Sequence, residues 1–270
     1  MGRFYEATAA DLPALTALWQ TAFGDEIPVI RAFWEQCFGK IRVFCLSEGK
    51  NLCAMACALP LSYVDGDGET HSCAYFYAVA TEPAYRGQGY CRTLLSQAEC
   101  ILRKEGVELC CLVPGEESLF AFYQKLGYEI AFTCRRQSLP AKKAEGVRLR
   151  QIDAAAYENL RQMQLYGEFI AYPVFLLELQ RQAGLASGAG LYRIESKELV
   201  CVAAAEKQGQ CLLIREMLPA DEELAAHLAH SLGCKELQLQ SPGDALPYGM
   251  AKSLSPIPLP QNSYLALAFG

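Results

Sequence analysis

The tetrapeptide Arg86-Gly-Gln-Gly89 joins an apolar run, Cys73 to Thr81, to an amphipathic run, Gly89 to Glu105. The first run is typical of a strand and the second of a helix. The two glycines let the backbone turn and approach a ligand closely. The helix start presents unpaired N–H groups and the positive end of the helix dipole, and the arginine adds a charge suited to phosphate oxygens. The stretch therefore predicts a pyrophosphate site.

Two common phosphate-binding motifs do not fit this stretch. A P-loop needs Gly-x-x-x-x-Gly-Lys-Ser/Thr, and no lysine or hydroxyl stands where that pattern requires one. A dinucleotide fingerprint needs three glycines at its own spacing, and the third is missing here. The sequence therefore indicates another kind of phosphate-bearing ligand.

Strand, proline, Arg-Gly-x-Gly and helix together resemble the acetyl-CoA loop of the GCN5-related N-acetyltransferases (GNAT). That family's signature is Gln/Arg-x-x-Gly-x-Gly/Ala. It is matched by Arg86 and Gly89, with Cys91 in place of the final small residue. Downstream, Phe122-Tyr-Gln-Lys-Leu-Gly-Tyr128 is similar to the family's other familiar segment, the helix and turn after the next strand. Two motifs in the right order are more specific than either alone. The resemblance implies an α/β fold with a mixed sheet and acetyl-CoA (CoA) as cofactor.

The resemblance also assigns roles to individual residues. Backbone groups at the end of the strand would pair with the pantetheine amides, and N–H groups of the loop would take the pyrophosphate. The cofactor-binding residues would be Val79, Ala80, Thr81, Arg86, Gly87, Gln88, Gly89, Tyr90, Cys91, Arg92 and Ser118. The resemblance places Tyr123 near the thioester sulfur as general acid. As a residue type, a tyrosine equally fits a packed aromatic with a satisfied hydroxyl.

The general base is not identified by the sequence. Many family members place a glutamate on the strand before the loop, but residues 75–77 here are Tyr, Phe and Tyr. An alkyl amine is almost entirely protonated at neutral pH, so a base or a proton wire is needed. Glu26 and Glu35 are candidates, although both also fit ordinary solvated helix charges. A water chain or the carboxylate of Gly270 could equally accept the proton.

The motifs sit in an alternating pattern of strands and helices over the first half of the chain. The pattern predicts strands at 3–8, 41–48, 51–64, 70–81, 107–113 and 128–138, and helices at 10–23, 28–38, 89–105 and 116–125. Asp65-Gly-Asp-Gly68 between two extended runs predicts a hairpin turn. A polar linker is expected at 142–146.

After this linker the pattern starts again, which predicts two domains at 1–141 and 147–270. Glu236-Leu and Pro242-Gly243 repeat the spacing of Glu108-Leu and Pro114-Gly115. The glycine motif is replaced by Pro219-Ala-Asp-Glu-Glu-Leu224, whose acidic residues would satisfy the helix dipole and repel a pyrophosphate. The helix that carries the tyrosine is nearly deleted. We therefore expect a second, degenerate GNAT-like domain that does not bind the cofactor.

One active copy followed by a degenerate one resembles the enhanced-intracellular-survival (Eis) acetyltransferases. That family's loop also tolerates a large residue at the position of Cys91 and keeps an arginine after it, here Arg92. Eis proteins carry a third, sterol-carrier-like domain, and we expect this chain to lack it. Their substrate specificity is therefore not carried over.

Composition narrows the class of protein further. A hydrophobic content of 52% and a charged content of 20% indicate a globular fold. Thirteen scattered cysteines without a Cys-x-x-Cys pair, and only three histidines, argue against a metal site and a disulfide framework. A net charge of −6 without a basic run argues against a nucleic-acid partner. No apolar run approaches the roughly 20 residues of a membrane span, and no signal segment is evident. We expect a cytoplasmic protein; a homo-oligomer is left open.

Taken together, these features predict an acetyl-CoA-dependent N-acetyltransferase that acts on an amine of a small molecule or peptide. A rival interpretation is a regulatory module that binds acyl-CoA without transferring the acyl group. The missing strand glutamate favours that rival, and release of free CoA thiol in the presence of an amine would separate the two.

Overall fold

The computed structural model describes residues 2–267, a mixed α/β structure with seven α-helices and twelve strands in that range. The helices are α1 (Leu12–Phe23), α2 (Ile27–Cys37), α3 (Tyr90–Lys104), α4 (Ser118–Gln124), α5 (Ala154–Gln162), α6 (Val174–Ser187) and α7 (Glu222–Ser231). The strands are β1 (Arg3–Glu6), β2 (Arg42–Glu48), β3 (Asn51–Val64), β4 (Thr70–Thr81), β5 (Leu109–Leu112), β6 (Glu129–Pro140), β7 (Arg148–Gln151), β8 (Phe169–Ala171), β9 (Gly190–Glu195), β10 (Val200–Gln208), β11 (Cys211–Leu218) and β12 (Glu236–Ser253).

The chain forms two compact units that are interleaved along the sequence. The first contains the chain up to Tyr63, then Thr70–Glu129 and Met250–Leu259. The second contains Val64–Glu69, Ile130–Gly249 and the chain from Pro260. The units are thus bounded differently from the predicted domains 1–141 and 147–270, because β6 belongs to the second unit and the end of β12 to the first.

The sheet of the first unit runs in the order β1-β2-β3-β4-β5 and then the end of β12. β1 and β2 are antiparallel, as are β2 and β3, whereas β5 is parallel to β4. A parallel pair needs a crossover connection, and α3 supplies it. The end of β12 lies antiparallel to β5, with Met250 opposite Leu112.

Helix α3 packs on one face of this sheet because its apolar side chains recur at helical spacing. Leu94, Leu95, Ala98 and Leu102 are all buried and belong to one core cluster with Phe44 of β2. The opposite face of the unit carries an aromatic cluster formed by α1, α2 and β4. Its members are Trp19, Phe33, Trp34 and Tyr77.

The second unit repeats the strand order of the first. Its sheet runs β7-β9-β10-β11 and then the start of β12, with three antiparallel pairs followed by one parallel pair. Helix α7 takes the crossover position between β11 and β12 and packs into a separate core cluster. The predicted repeat is therefore confirmed at the level of topology.

The elements predicted for the first half are confirmed, with boundaries within about two residues for most of them. The predicted loss of a helix in the second half is also confirmed, because β12 runs without interruption through residues 242–248. None of the thirteen cysteines, all within the described range, forms a disulfide, and ten of them are buried. They fill the core as small apolar residues. Across residues 2–267, no helix combines the length and the apolar character needed to cross a membrane.

Candidate functional site

Strand β4 is paired to β5 at its beginning only. The parallel register joins Cys73 to Leu109 and ends with Tyr75 opposite Cys111. On its other edge the chain stays tied to β3 as far as Glu82, whose N–H donates to the carbonyl of Cys53 at 2.9 Å. The last residues of β4 therefore offer backbone groups toward the β5 side that β5 does not use. An extended ligand could pair there in the manner of an added strand.

A β-bulge lies at this point of β4. Ala78 adopts φ of +49°, a left-handed conformation that is uncommon outside glycine, although its side chain is buried. Phe76 faces the core beneath α3, Tyr77 contacts the aromatic cluster on the opposite face, and Val79 returns to the core beneath α3. A regular strand would place residues 77 and 79 on the same face. The bulge thus re-aims the backbone of residues 79–81, and such strain is typical of functional sites.

The glycine loop, residues 86–92, follows directly. Gly87 and Gly89 have φ of +74° and +85°, and a Cβ added to either would meet no atom within 4 Å. These glycines are therefore required by the backbone conformation, while the space beside them is open. Gly89 is the N-cap of α3 and no side chain caps the helix. The N–H groups of its first turn remain available to a ligand.

Two side chains brace the loop from within. Nε of Arg86 donates to the carbonyl of Thr81 at 3.1 Å, and Nε2 of Gln88 donates to the carbonyl of Ala84 at 2.9 Å. Because Arg86 uses Nε for this bond, its two terminal nitrogens remain free for an anion. Gln88 acts on the loop conformation through its side chain.

The first two residues of α3 have side chains that are held as neutral groups. The Tyr90 hydroxyl is hydrogen-bonded to the Glu48 carboxylate, which raises the pKa of Tyr90 to about 12. Burial raises the pKa of the Cys91 thiol to about 12. Cys91 packs against the core of the first unit. A helix N-terminus normally lowers a thiol pKa, but here the loss of hydration is the larger effect. Neither side chain therefore adds a negative charge to the loop at neutral pH.

Tyr123, on α4, lies in the same core cluster as the start of α3. Its ring is 7% exposed and makes edge-to-face contacts with Phe122 and Tyr128. Its hydroxyl makes no hydrogen bond to any residue of the described range. Burial, with a smaller effect from nearby Cys91, raises the pKa of Tyr123 well above its usual value. The hydroxyl therefore keeps its proton at neutral pH.

The first half of the chain is similar to a known family of protein domains. The sequence model of the acetyltransferase (GNAT) domain family matches residues 3–131. Residues 3–131, just under half of the chain, are thus similar to this domain family, and we refer to them as the GNAT domain. No curated protein sequence is significantly similar to the chain.

Solved structures extend the likeness beyond the GNAT domain. A GCN5-related N-acetyltransferase from Anabaena variabilis has a TM-score of 0.74 at 15% identity, covering 94% of this chain and 73% of that one. Eis1 from Mycobacterium abscessus has a TM-score of 0.69 at 11% identity, with 94% and 74% covered. A Pyrococcus horikoshii protein described as an acetyltransferase has a TM-score of 0.64 at 12% identity, with 98% and 94% covered. At these identities the likeness is one of fold.

The remaining predicted site residues of the GNAT domain lie on its surface. Ser118 is exposed at the start of α4 and donates its hydroxyl hydrogen bond to Glu116 at 2.5 Å. Glu26 and Glu35 are exposed, as expected of solvated helix charges. Gly270 lies outside the described residues. Within the described range, no group of three or more His, Cys, Asp or Glu side chains could hold a metal ion.

The helix start that corresponds to the glycine loop in the second unit is closed. Oδ1 of Asp221 accepts a hydrogen bond from the Leu224 N–H at 2.8 Å, and two further acidic residues occupy the first turn of α7. This agrees with the expectation that acidic residues satisfy this helix end by themselves.

Sequence reasoning missed two features of the GNAT domain. The bulge at Ala78 has no sequence signal, because its left-handed conformation is imposed by the surrounding fold and alanine shows no preference for it. The contact between Glu48 and Tyr90 joins residues 42 positions apart. It could have been predicted only from the knowledge that the end of β2 lies beside the start of α3 in the folded chain.

Proposed function

We propose that this chain is an acetyl-CoA-dependent N-acetyltransferase and that only its first unit, the core of the predicted domain 1–141, binds the cofactor. One juxtaposition carries the proposal. A strand edge that is free after a bulge leads directly into an uncapped helix start with two left-handed glycines. The first feature fits the amides of a pantetheine arm, and the second fits a pyrophosphate. Acetyl-CoA carries both groups in that order.

The residues present fit this ligand, and each has a distinct role in the proposal. The backbone of Val79, Ala80 and Thr81 would pair with the pantetheine arm. N–H groups from Gly87 to Arg92 would bind the pyrophosphate, with Arg86 adding positive charge. Bound acetyl-CoA would supply an activated thioester, and N–H groups of the free β4 edge are suited to stabilise the oxyanion that develops on its carbonyl.

The proton balance of the transfer defines the role of Tyr123. A C–N bond forms between the amine and the acetyl carbon while the C–S bond breaks, so the leaving sulfur must gain a proton and the amine must lose one. The Tyr123 hydroxyl is protonated at neutral pH and has no partner among the described residues, so it is suited to donate that proton. No carboxylate occupies residues 75–77 of β4. We therefore propose that the amine proton leaves through water.

We propose that the acceptor is an amine on a small molecule or a peptide, acting as a cytoplasmic substrate. The rival function, a sensor of acyl-CoA without transfer, makes a different experimental prediction. An N-acetyltransferase releases CoA thiol only when a suitable amine is present. A sensor binds acetyl-CoA and releases none with any amine.

The test combines thiol release with removal of a single hydroxyl. Acetyl-CoA is incubated with a panel of polyamines, aminoglycosides and lysine peptides, and free thiol is measured. We expect Tyr123→Phe to lower kcat by about 10²- to 10⁴-fold with little change in acetyl-CoA affinity, because a general acid acts in the transition state. Tyr166→Phe is the matched control, since Tyr166 is 85% exposed. Full activity of Tyr123→Phe would show that the Tyr123 hydroxyl has no catalytic role and that the ring serves only in packing. Acetyl-CoA binding without thiol release from any amine would favour the sensor.

A further inference from the structure

A small notch of about 190 Å³ opens beside α3, immediately after the glycine loop. It is bordered by Arg92 and Ser96 of α3, by Lys125 and Leu126 after α4, and by Glu99 and Lys252. All of these residues belong to the first unit. We refer to this cavity as the α3 notch.

The base of the α3 notch is a neutralised ion pair. Glu99 is buried, and its Oε1 accepts a hydrogen bond from the Tyr128 hydroxyl at 2.9 Å. Its Oε2 accepts one from Nζ of Lys252 at 2.5 Å, and the same ammonium donates to the carbonyl of Leu126 at 2.9 Å. Both carboxylate oxygens are thus occupied by donors from within the first unit. Neither carboxylate oxygen of Glu99 is therefore free to pair with the cations at the rim.

The rim of the α3 notch is therefore positively charged. Arg92 and Lys125 are exposed and form no ion pair or hydrogen bond with any residue among 2–267. The lining has three cations and one carboxylate, which leaves a net charge of +2. A lone exposed lysine is ordinary, but two unpaired cations that share one concavity attract an anion.

Arg92 connects this concavity to the glycine loop. It is the third residue of α3, so its backbone N–H belongs to the first turn that would bind the pyrophosphate. Its side chain lines the α3 notch. An anion in the notch would therefore lie next to the pyrophosphate, as a second phosphate group of the same ligand does. In CoA a single ribose separates the pyrophosphate from the 3′-phosphate.

We propose that the α3 notch binds the 3′-phosphate of CoA, with Arg92 and Lys125 as the phosphate-binding side chains. Guanidinium and ammonium groups are both established ligands of phosphate. The site would distinguish CoA thioesters from 3′-dephospho-CoA thioesters, which share every other group. This proposal rests on the proposed function, because it needs the pyrophosphate to lie in the glycine loop.

The test compares acetyl-CoA with 3′-dephospho-acetyl-CoA by calorimetry on the full chain. We expect the wild-type protein to bind acetyl-CoA about tenfold more tightly, the size of one exposed charge-assisted contact. In Lys125→Ala and in Arg92→Ala the ratio of the two dissociation constants should fall to about one or two. The control is Lys104→Ala, an exposed lysine in the last turn of the same helix, which makes the same change in net charge.

The outcomes separate the two proposals. Equal affinity of the wild-type protein for both ligands, or an unchanged ratio in Lys125→Ala and Arg92→Ala, would overturn the notch proposal and leave the proposed function intact. A fall of the ratio in Lys104→Ala as well would also overturn it, because overall charge would then explain the preference. Absence of binding by either ligand would instead refute the proposed function.

Discussion

Replacement of Gly89 by glutamate and by glutamine tests the pyrophosphate site directly. Gly89 has φ of +85° and a Cβ there would meet no atom within 4 Å. Either side chain can therefore be accommodated, at a backbone cost of about 1–2 kcal/mol in folding stability. The two variants share this cost and nearly the same shape. They differ only in one negative charge at the mouth of the loop, so their difference in affinity isolates electrostatics.

The size of that difference follows from Coulomb's law. Two unit charges about 4 Å apart repel by about 1 kcal/mol in a water-like environment, which is the appropriate limit because Gly87 and Gly89 are exposed. A pyrophosphate carries two negative charges, so Gly89→Glu should bind acetyl-CoA about 2 kcal/mol, or about 30-fold, more weakly than Gly89→Gln. At about 1 M salt the screening length falls to about 3 Å and the gap should shrink markedly.

The assay is calorimetry at low and high salt, with thermal unfolding to verify that both variants fold. The wild-type protein should show one site per chain. Gly106 supplies the control pair, because it has φ of +88°, equally open surroundings and a position at the opposite end of α3. Gly106→Glu and Gly106→Gln should bind acetyl-CoA alike. Equal affinities for the two Gly89 variants, or two equivalent sites per chain, would show that the pyrophosphate lies elsewhere.

Three further predictions concern other parts of the chain. Arg161→Met should lower the free energy of unfolding by about 3–5 kcal/mol in urea denaturation, because it leaves Glu216, buried and bonded to Nε of Arg161 at 2.9 Å, without its cation; a loss below about 1 kcal/mol would contradict this. Iodoacetamide at pH 8 should label the exposed Cys100 well before Cys91, whose thiol has a pKa of about 12; mass spectrometry would detect the reverse order. The kcat/KM should rise with pH well past neutrality, tracking the amine itself, and Glu26→Gln should leave the profile unchanged; a plateau by pH 7 that this variant abolishes would identify Glu26 as the base.

Much of the first unit can be predicted from local patterns. A hairpin turn and a proline bound β4, and the sequence predicts this strand to the residue at 70–81. The start of α3 is predictable because glycine, helix dipole and amphipathic spacing all indicate the same boundary there. These signals come from residues that are close in sequence. They can therefore be identified without knowledge of the tertiary fold.

The features that sequence reasoning missed depend on long-range packing. Glu99 and Lys252 are 153 residues apart, and nothing in either segment indicates that they form an ion pair. The two compact units could not be predicted for the same reason, since the end of β12 joins β5 by hydrogen bonds made across the chain. The left-handed conformation of Ala78 likewise has no signal in the local sequence. Such features are set by the tertiary fold.

The two units differ at the part of the topology where we propose that the cofactor binds. Both contain antiparallel pairs, one parallel pair and a crossover helix, so the sheet alone does not distinguish them. They differ at the crossover helix, where Gly89 leaves the N–H groups of α3 open and Asp221 fills the corresponding position of α7 with its own carboxylate. A carboxylate that accepts these hydrogen bonds occupies the site that a phosphate would take. Such a helix cap stabilises the folded state of the second unit by about 1 kcal/mol. The same cap removes a site where an anion could bind. On the proposed function, the residue that caps the crossover helix is thus one difference that would separate a cofactor-binding copy of this fold from a copy that does not bind the cofactor.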